Sequence, residues 1–323
     1  MYKLAKTNEI DPIEMKAAYC DAMIELASRN DKVVDMEADL AGCLSMAKFG
    51  EKYPDRYFNI GIMEQSLSSV AAGLSLTGKI VFAHTFGCFA TRRMCDQNYL
   101  SVAYAKANVK IVGSDPGIAA ALNGGTHQAN EDINIMRAIP GITIFDPSDS
   151  VMLKWAINKA AETYGVFYMR VQRAENMTIY EPGSEFEIGK ANLLKEGSDV
   201  TLFAAGPIMV AETLKAAKLL EADGIKARVV DMFCIKPIDA ECIIKCANET
   251  GAVVTVENHN IIGGLGSAVA EVLSENSCFV PFKRIGIPDR IGEVGTSADL
   301  RKVMGMTDKD IADAAKRLIS MKK

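Results

Sequence analysis

Glu64 is the single carboxylate in "GIMEQSLSSVAAGLSLTG" (61–78), a run otherwise built almost wholly from small and apolar side chains. Desolvation among such neighbours favours the neutral form of a carboxyl group. The same residue also reads as a first-turn carboxylate stabilised by a helix dipole, and the small residues behind it allow close approach of a flat ligand or another chain. His127, one of three histidines, sits on the glycine turn of "NGGTHQAN" (123–130) and reads either as structural or merely exposed, or as functional. Phe86 and Phe89, three apart, fit a core or a stacking platform. Arg170 and Arg173 fit solvated charges or an anion site at a strand end.

These residues need elements that bring them together. Short β-rich runs ("KVVDME", "RYFNI", "KIVFAHTF", "NVKIVGSD", "GITIFDPSD", "GVFYMRV") alternate with amphipathic helical ones such as "SLSSVAAGLSL" and "VMLKWAINKAAETY". That alternation predicts an α/β fold with a mainly parallel sheet flanked by helices. Ligands of such sheets bind at loops off the carboxyl ends of the strands. "EADLAGCLS", "AHTFGCFATRR", "GSDPGIAAALNGGTHQ", "DPSD" and "MRVQR" all follow strands, and Glu64 follows "YFNI", so one rim collects the polar residues, glycines and aromatics. After Arg173 the polar stretch "AENMTIYEPGSEFEIGK" reads as a linker. A second alternation, from "DVTLFAAG" through "KARVVDMFCIKP" and "GAVVTVENH" to "KRIGIPD", predicts a smaller α/β domain. The division falls at 1–185 and 186–323, and 323 residues suffice for two cores, since a single core stops growing at roughly 250–300 residues.

Composition excludes several classes. A net charge of −5 without basic runs argues against nucleic acid or anionic membrane, and no stretch reaches the roughly 18 apolar residues that span a bilayer. "MYKLAKTNEID" lacks an apolar leader, so the cytoplasm is expected. The eight cysteines, scattered through apolar segments, read as reduced thiols. Cys242 and Cys246 lie at i,i+4, but no second Cys or His pair is spaced to complete a metal site. The Gly-rich "IIGGLGSAVAEVL" (261–273) lacks the full G-x-G-x-x-G spacing and is expected to serve strand-to-helix packing, with His259 bonding locally.

Taken together and in order, the motifs resemble the C-terminal half of transketolase and related thiamine diphosphate enzymes over nearly the whole chain. "NIGIMEQ…AAGLSLTG" is similar to that family's pyrimidine-domain glutamate segment, "HTFGCF" to its aromatic segment, and "GGTHQ…MRAIPGITIFDPSD" to its "GPTHQ…RAIPN…PAD" run. The resemblance implies a pyrimidine-binding domain followed by a transketolase C-terminal domain. It makes Glu64 the partner of the aminopyrimidine N1′, promoting the imino tautomer whose 4′-nitrogen deprotonates thiazolium C2. It sets Phe86 and Phe89 beside the aminopyrimidine, with Phe89 stacking on it, and Asp39 near the cofactor. His127 would bond substrate oxygens, and Arg173 would pair with a sugar phosphate.

Departures fall on the substrate side. Cys43 takes the place of a substrate-binding serine in "ADLTPSN", with Ser45 as an alternative; Asn123 stands where the pattern has aspartate, and Asp115 where transketolases often have histidine. The family's "GDG…N" diphosphate and Mg²⁺ segment does not occur in this sequence. The resemblance therefore implies an N-terminal partner subunit holding Mg²⁺ and the diphosphate, no metal on this chain, and an α2β2 assembly. The activity implied is transfer of a two-carbon ketol unit from a ketose phosphate to an aldose. Rival readings are the β subunit of a 2-oxo acid dehydrogenase, a split relative of deoxyxylulose-phosphate synthase (suggested by "ENHNIIGGLGSA" and "GIPDRIGEVG"), and a non-catalytic subunit retaining the fold.

Overall fold

A computed structural model of the chain describes residues 1–173 and 176–322. Its strands are β1 (Val33–Glu37), β2 (Tyr57–Asn59), β3 (Ile80–Phe86), β4 (Val109–Ser114), β5 (Ile142–Phe145), β6 (Val166–Val171), β7 (Asn192–Lys195), β8 (Val200–Ala205), β9 (Ala227–Asp231), β10 (Cys234–Lys236), β11 (Val253–Asn260) and β12 (Phe282–Ile287). They form two sheets. The first runs in the order β10-β5-β6-β4-β3-β1-β2 and the second in the order β12-β11-β8-β9-β7. Both are α/β and parallel, apart from β10 against β5 and β7 against β9.

The central strands β1, β4, β6 and β8 are buried at every position. That explains the mostly apolar runs of β4, β6 and β8, because helices cover both faces of a parallel sheet, while β1 buries Asp35 and Glu37 among its apolar residues. Register then sets the rim: Glu37 pairs with Asn59 and His84, Phe86 with Ser114, and Ser114 with Val171, so the following loops all leave from one edge. The helix Glu64–Ser75 packs Leu67 and Ala71 inward, as its spacing predicts, yet Val70 on the same pattern is exposed. The helix Ser150–Glu162 starts at Asp149, whose carboxylate accepts the Met152 N–H at 2.8 Å, a strong N-cap.

Two elements depart from expectation. "KARVVDMFCIKP" is not one strand: β9 stays in the second sheet, while β10 crosses over and joins the edge of the first. The edge strand β7, in "ANLLK", has no counterpart among the expected strands. In the stretch expected as linker, Ala174 and Glu175 lie outside the described residues. The remainder is a strap tied to the N-terminus by bridges Leu4–Tyr180 and Ile10–Met177.

The two sheets are locked by a buried polar seam. Arg170 donates from Nε to Asp132 Oδ2 (2.8 Å), from Nη1 to Asp146 Oδ2 (2.6 Å) and from Nη2 to the Asn258 carbonyl (2.7 Å). Tyr168 O–H adds a bond to Asp132 (2.7 Å), and Tyr180 O–H donates to Asp231 Oδ2 (2.7 Å). Arg170 is therefore a fully buried structural cation, neither a solvated charge nor an anion-binding group at the rim, which corrects both of its sequence readings.

Candidate functional site

The rim collects three aromatic rings edge to edge. Phe86 ends β3, and Phe89 opens a π-wound turn, Phe89–Arg93. The two rings lie 5.9 Å apart at 85°. The His127 ring stands 5.4 Å from Phe86 and 5.3 Å from Phe89. His127 is half-buried, and its Nδ1 lies 2.9 Å from Thr126 Oγ1. Arg92 supports that turn by donating to the Thr126 carbonyl at 3.2 Å and pairing with Glu131 at 2.7 Å. Edge-to-face packing of this kind is worth about 0.5–1.5 kcal/mol per pair beyond area burial, so the platform holds its shape without a ligand.

Glu64 begins its helix 3% exposed. It is not in a wholly apolar setting: Arg93 Nη1 donates to its Oε1 at 2.5 Å. The Arg93 guanidinium carbon lies 4.1 Å from the centre of the Phe89 ring, while 44% of its side chain faces solvent. A flat, nitrogen-rich cation thus covers the face of Phe89 and bonds Glu64 at once. Sequence reading missed Arg93; its position four residues after Phe89, about one helical turn, was the available signal.

On the far side of Phe86 lies a second charged pair. Arg173 Nε stands 2.6 Å from Asp115 Oδ2, and its Cζ lies 5.4 Å from the Phe86 ring centre. Asp115 is 1% exposed, and burial pushes its pKa up to about 6 against the opposing pull of Arg173. Cys43 is buried against Phe86, Cys88 and Ala129, with Leu40 and Phe89 alongside, and burial raises its thiol. Asp39 is exposed, one residue before Leu40, and accepts from Asn59 Nδ2 at 3.1 Å. Asn123 is exposed at the end of the Gly117–Asn123 run. Asp39, Ser45, Asp115 and Ala121 all have positive φ (59°, 58°, 52° and 45°). Such strained residues persist where surrounding structure over-determines them, and here they gather on the rim loops.

The second sheet holds the rim loop in place. Asn258, near the end of β11, accepts from the Ile118 N–H at 2.9 Å and donates to the Pro116 carbonyl at 2.8 Å. Gly117 between them has φ +54°, and a Cβ there would collide with Asn258 Oδ1. Gln128, next to His127, donates to the Glu293 carbonyl at 2.8 Å. Sequence reading missed Asn258 as well.

The Gly-rich turn after β11 is filled from within. Glu257 accepts from the Leu265 N–H at 2.6 Å and the Gly266 N–H at 2.8 Å, putting the chain's own carboxylate where a dinucleotide phosphate would sit. His259 is buried, its Nδ1 2.6 Å from the Asn260 carbonyl, and Nε2 accepts from the Asn134 N–H at 3.3 Å. Cys242 and Cys246 pair thiol to thiol at 3.9 Å on the helix Ala240–Thr250. Among the described residues, no group of three His, Cys, Asp or Glu side chains is arranged to hold a metal ion, and no helix is long and apolar enough to cross a membrane.

Comparison with known proteins gives the same outline. Residues 11–177 match the model for the transketolase pyrimidine binding domain, and residues 189–311 that for the transketolase C-terminal domain. The chain is 47% identical over 308 residues to the 6-deoxy-6-sulfo-D-fructose transketolase subunit of Clostridium sp. (strain MSTE9), covering 95% of both. It is 37% identical over 304 residues to an apulose-4-phosphate transketolase subunit of Phocaeicola vulgatus, covering 94% of this chain and 96% of that one. A solved structure described as a split gene transketolase in an inactive beta4 tetramer superposes with a TM-score of 0.89 at 44% identity, covering 96% of this chain and all of that one (100%).

Proposed function

The chain belongs to the transketolase family, and from that premise we propose that it is the C-terminal subunit of a split, thiamine diphosphate-dependent transketolase. It supplies the pyrimidine-binding domain, divided from the C-terminal domain at about residues 185/186. A partner subunit supplies the diphosphate and Mg²⁺ site, and the two pair as an α2β2 assembly in the cytoplasm. The observation that carries the reading is the nearly buried Glu64 carboxylate beside the face of Phe89, a face that already accepts the planar Arg93 guanidinium. A protonated aminopyrimidine presents the same combination of flat ring and N–H donor, so the residues fit that group.

Bound thiamine diphosphate supplies the electron sink for breaking a ketose carbon–carbon bond. Glu64 accepts the N1′ hydrogen bond and so holds a proton at that ring nitrogen. Phe89 fixes the plane of the ring, with Phe86 as its edge-on support. His127 stands against both rings, where it can bond the oxygens of a ketol unit. Asp39 lies on the cofactor side, and Cys43, Asp115 and Arg173 border the substrate side. The donors named for the relatives, a sulfofructose and an apulose phosphate, share an anionic far end, and a ketose of that class is the donor proposed here. Ile62 and Met63, just before Glu64, and Val70, Tyr99 and Leu100 on nearby helical segments are exposed apolar residues, which favours subunit contact at this face.

Mixing the chain with a partner subunit that carries the "GDG…N" segment, thiamine diphosphate and Mg²⁺ should give ketol transfer. Glu64→Gln in that mixture should lower kcat by about 10² or more, the usual scale of acid–base assistance. Turnover of 2-oxo acids without any ketol transfer would refute the reading in favour of a 2-oxo acid dehydrogenase.

A further inference from the structure

Arg173 is not a free cation awaiting an anion. It is paired at 2.6 Å with a carboxylate that is 1% exposed, while 34% of its own side chain remains open. The carboxylate is the fixed member. The Asp115 N–H donates to the Val171 carbonyl at 3.0 Å, tying it to the end of β6, and its φ is +52°. The next residue, Pro116, is clamped through its carbonyl by Asn258. Cys43, which packs on Phe86 nearby, has its thiol raised by burial and adds no opposing charge.

An anion reaching Arg173 therefore meets a neutralised pair. Its attraction to the guanidinium is largely offset by repulsion from Asp115, and both effects grow with the charge of the incoming group. The cost of stripping water from that group grows faster than its charge, so a dianion loses most while the neutralised pair returns little. We propose that Asp115 is a specificity-determining residue that tunes Arg173 to a ketose with a monoanionic far end of the sulfonate type over one ending in a phosphate dianion. The inference rests on the ketol-transfer reading and adds to it the charge of the substrate.

The test uses the assembled enzyme with its partner, thiamine diphosphate and Mg²⁺. Fructose 6-phosphate and 6-deoxy-6-sulfofructose are compared as donors by kcat/KM with one aldose acceptor, and hydroxypyruvate, which lacks a far-end anion, reports ketol transfer itself. Wild type should favour the sulfonate at least tenfold. Asp115→Asn, close in size and compatible with positive φ, should move the ratio at least tenfold toward the phosphate, with the change carried mainly by KM; Asp115→Ser serves if the Asn variant fails to fold. A wild-type preference for phosphate overturns the inference. So does an unchanged ratio in both variants while hydroxypyruvate is still consumed. Wild type that turns over none of the three donors fails the ketol-transfer reading, and this inference falls with it.

Discussion

At the residue scale, the contact between Glu64 and Arg93 decides how the site is occupied. Arg93 bonds Glu64 and lies over one face of Phe89, so a ring that stacks on that face must displace it. With Arg93 44% exposed, its ion pair and cation–π contact are together worth about 1 kcal/mol. Arg93→Met should therefore tighten thiamine diphosphate binding by about three- to tenfold in the assembled enzyme, since RT ln 10 is about 1.4 kcal/mol. Titration of the apoenzyme with cofactor reads this directly, and weaker binding in the variant would make Arg93 a cofactor ligand instead. Glu64, Phe86, Phe89 and His127 could be picked out in the sequence because each lies in a motif with its own residue order. Arg93 could not, because its meaning lies in the space it fills between two motifs. Arg170 was ambiguous for the converse reason: a strand-end arginine looks the same in sequence whether it faces solvent or two buried aspartates.

At the scale of elements, the rim loop between β4 and the helix Asp132–Ala138 is held by the second sheet as well as its own. Asn258 satisfies one N–H and one carbonyl of that loop. Asn258→Ala would orphan both, at a cost of about 2 kcal/mol in stability. The loop carries Asp115 and His127, so the same change should raise donor KM and speed amide hydrogen exchange at Ile118. A fall in thermal stability with no change in exchange or KM would limit Asn258 to a packing role. Most of the strands were visible in the sequence, since runs such as "KIVFAHTF" are long and β-branched. β7 and β10 were not, because four and three residues carry too little pattern. The crossing of β10 depends on which sheet edge lies nearby, information that local periodicity does not contain.

At the scale of the whole molecule, two domains readable as separate α/β alternations are joined by a buried seam that sequence could not reveal, because its members lie far apart in the chain. His259 is part of it. The Asn134 N–H donates to its Nε2, so Nδ1 carries the hydrogen toward the Asn260 carbonyl and the ring is neutral. Burial pushes its pKa down to about 4, with Asp132 pulling the other way. In the unfolded chain a histidine titrates near its ordinary value of about 6.5. The folded pKa is depressed, so the unfolded state binds more protons between these values, and stability falls as pH drops through that window. The stability that neutral His259 gives is complete above about pH 6.5 and is lost toward about pH 4, a change of roughly 3 kcal/mol. His259→Gln keeps an N–H donor and an acceptor but has no proton to bind. Glu257, whose pKa burial raises to about 7 and whose carboxylate lies 3.8 Å from His259 Nδ1, is present in both proteins. Urea unfolding at intervals from pH 7 to pH 4 should show wild type losing roughly 3 kcal/mol more than His259→Gln. Parallel pH profiles would mean that the seam opens to admit water before it admits a proton.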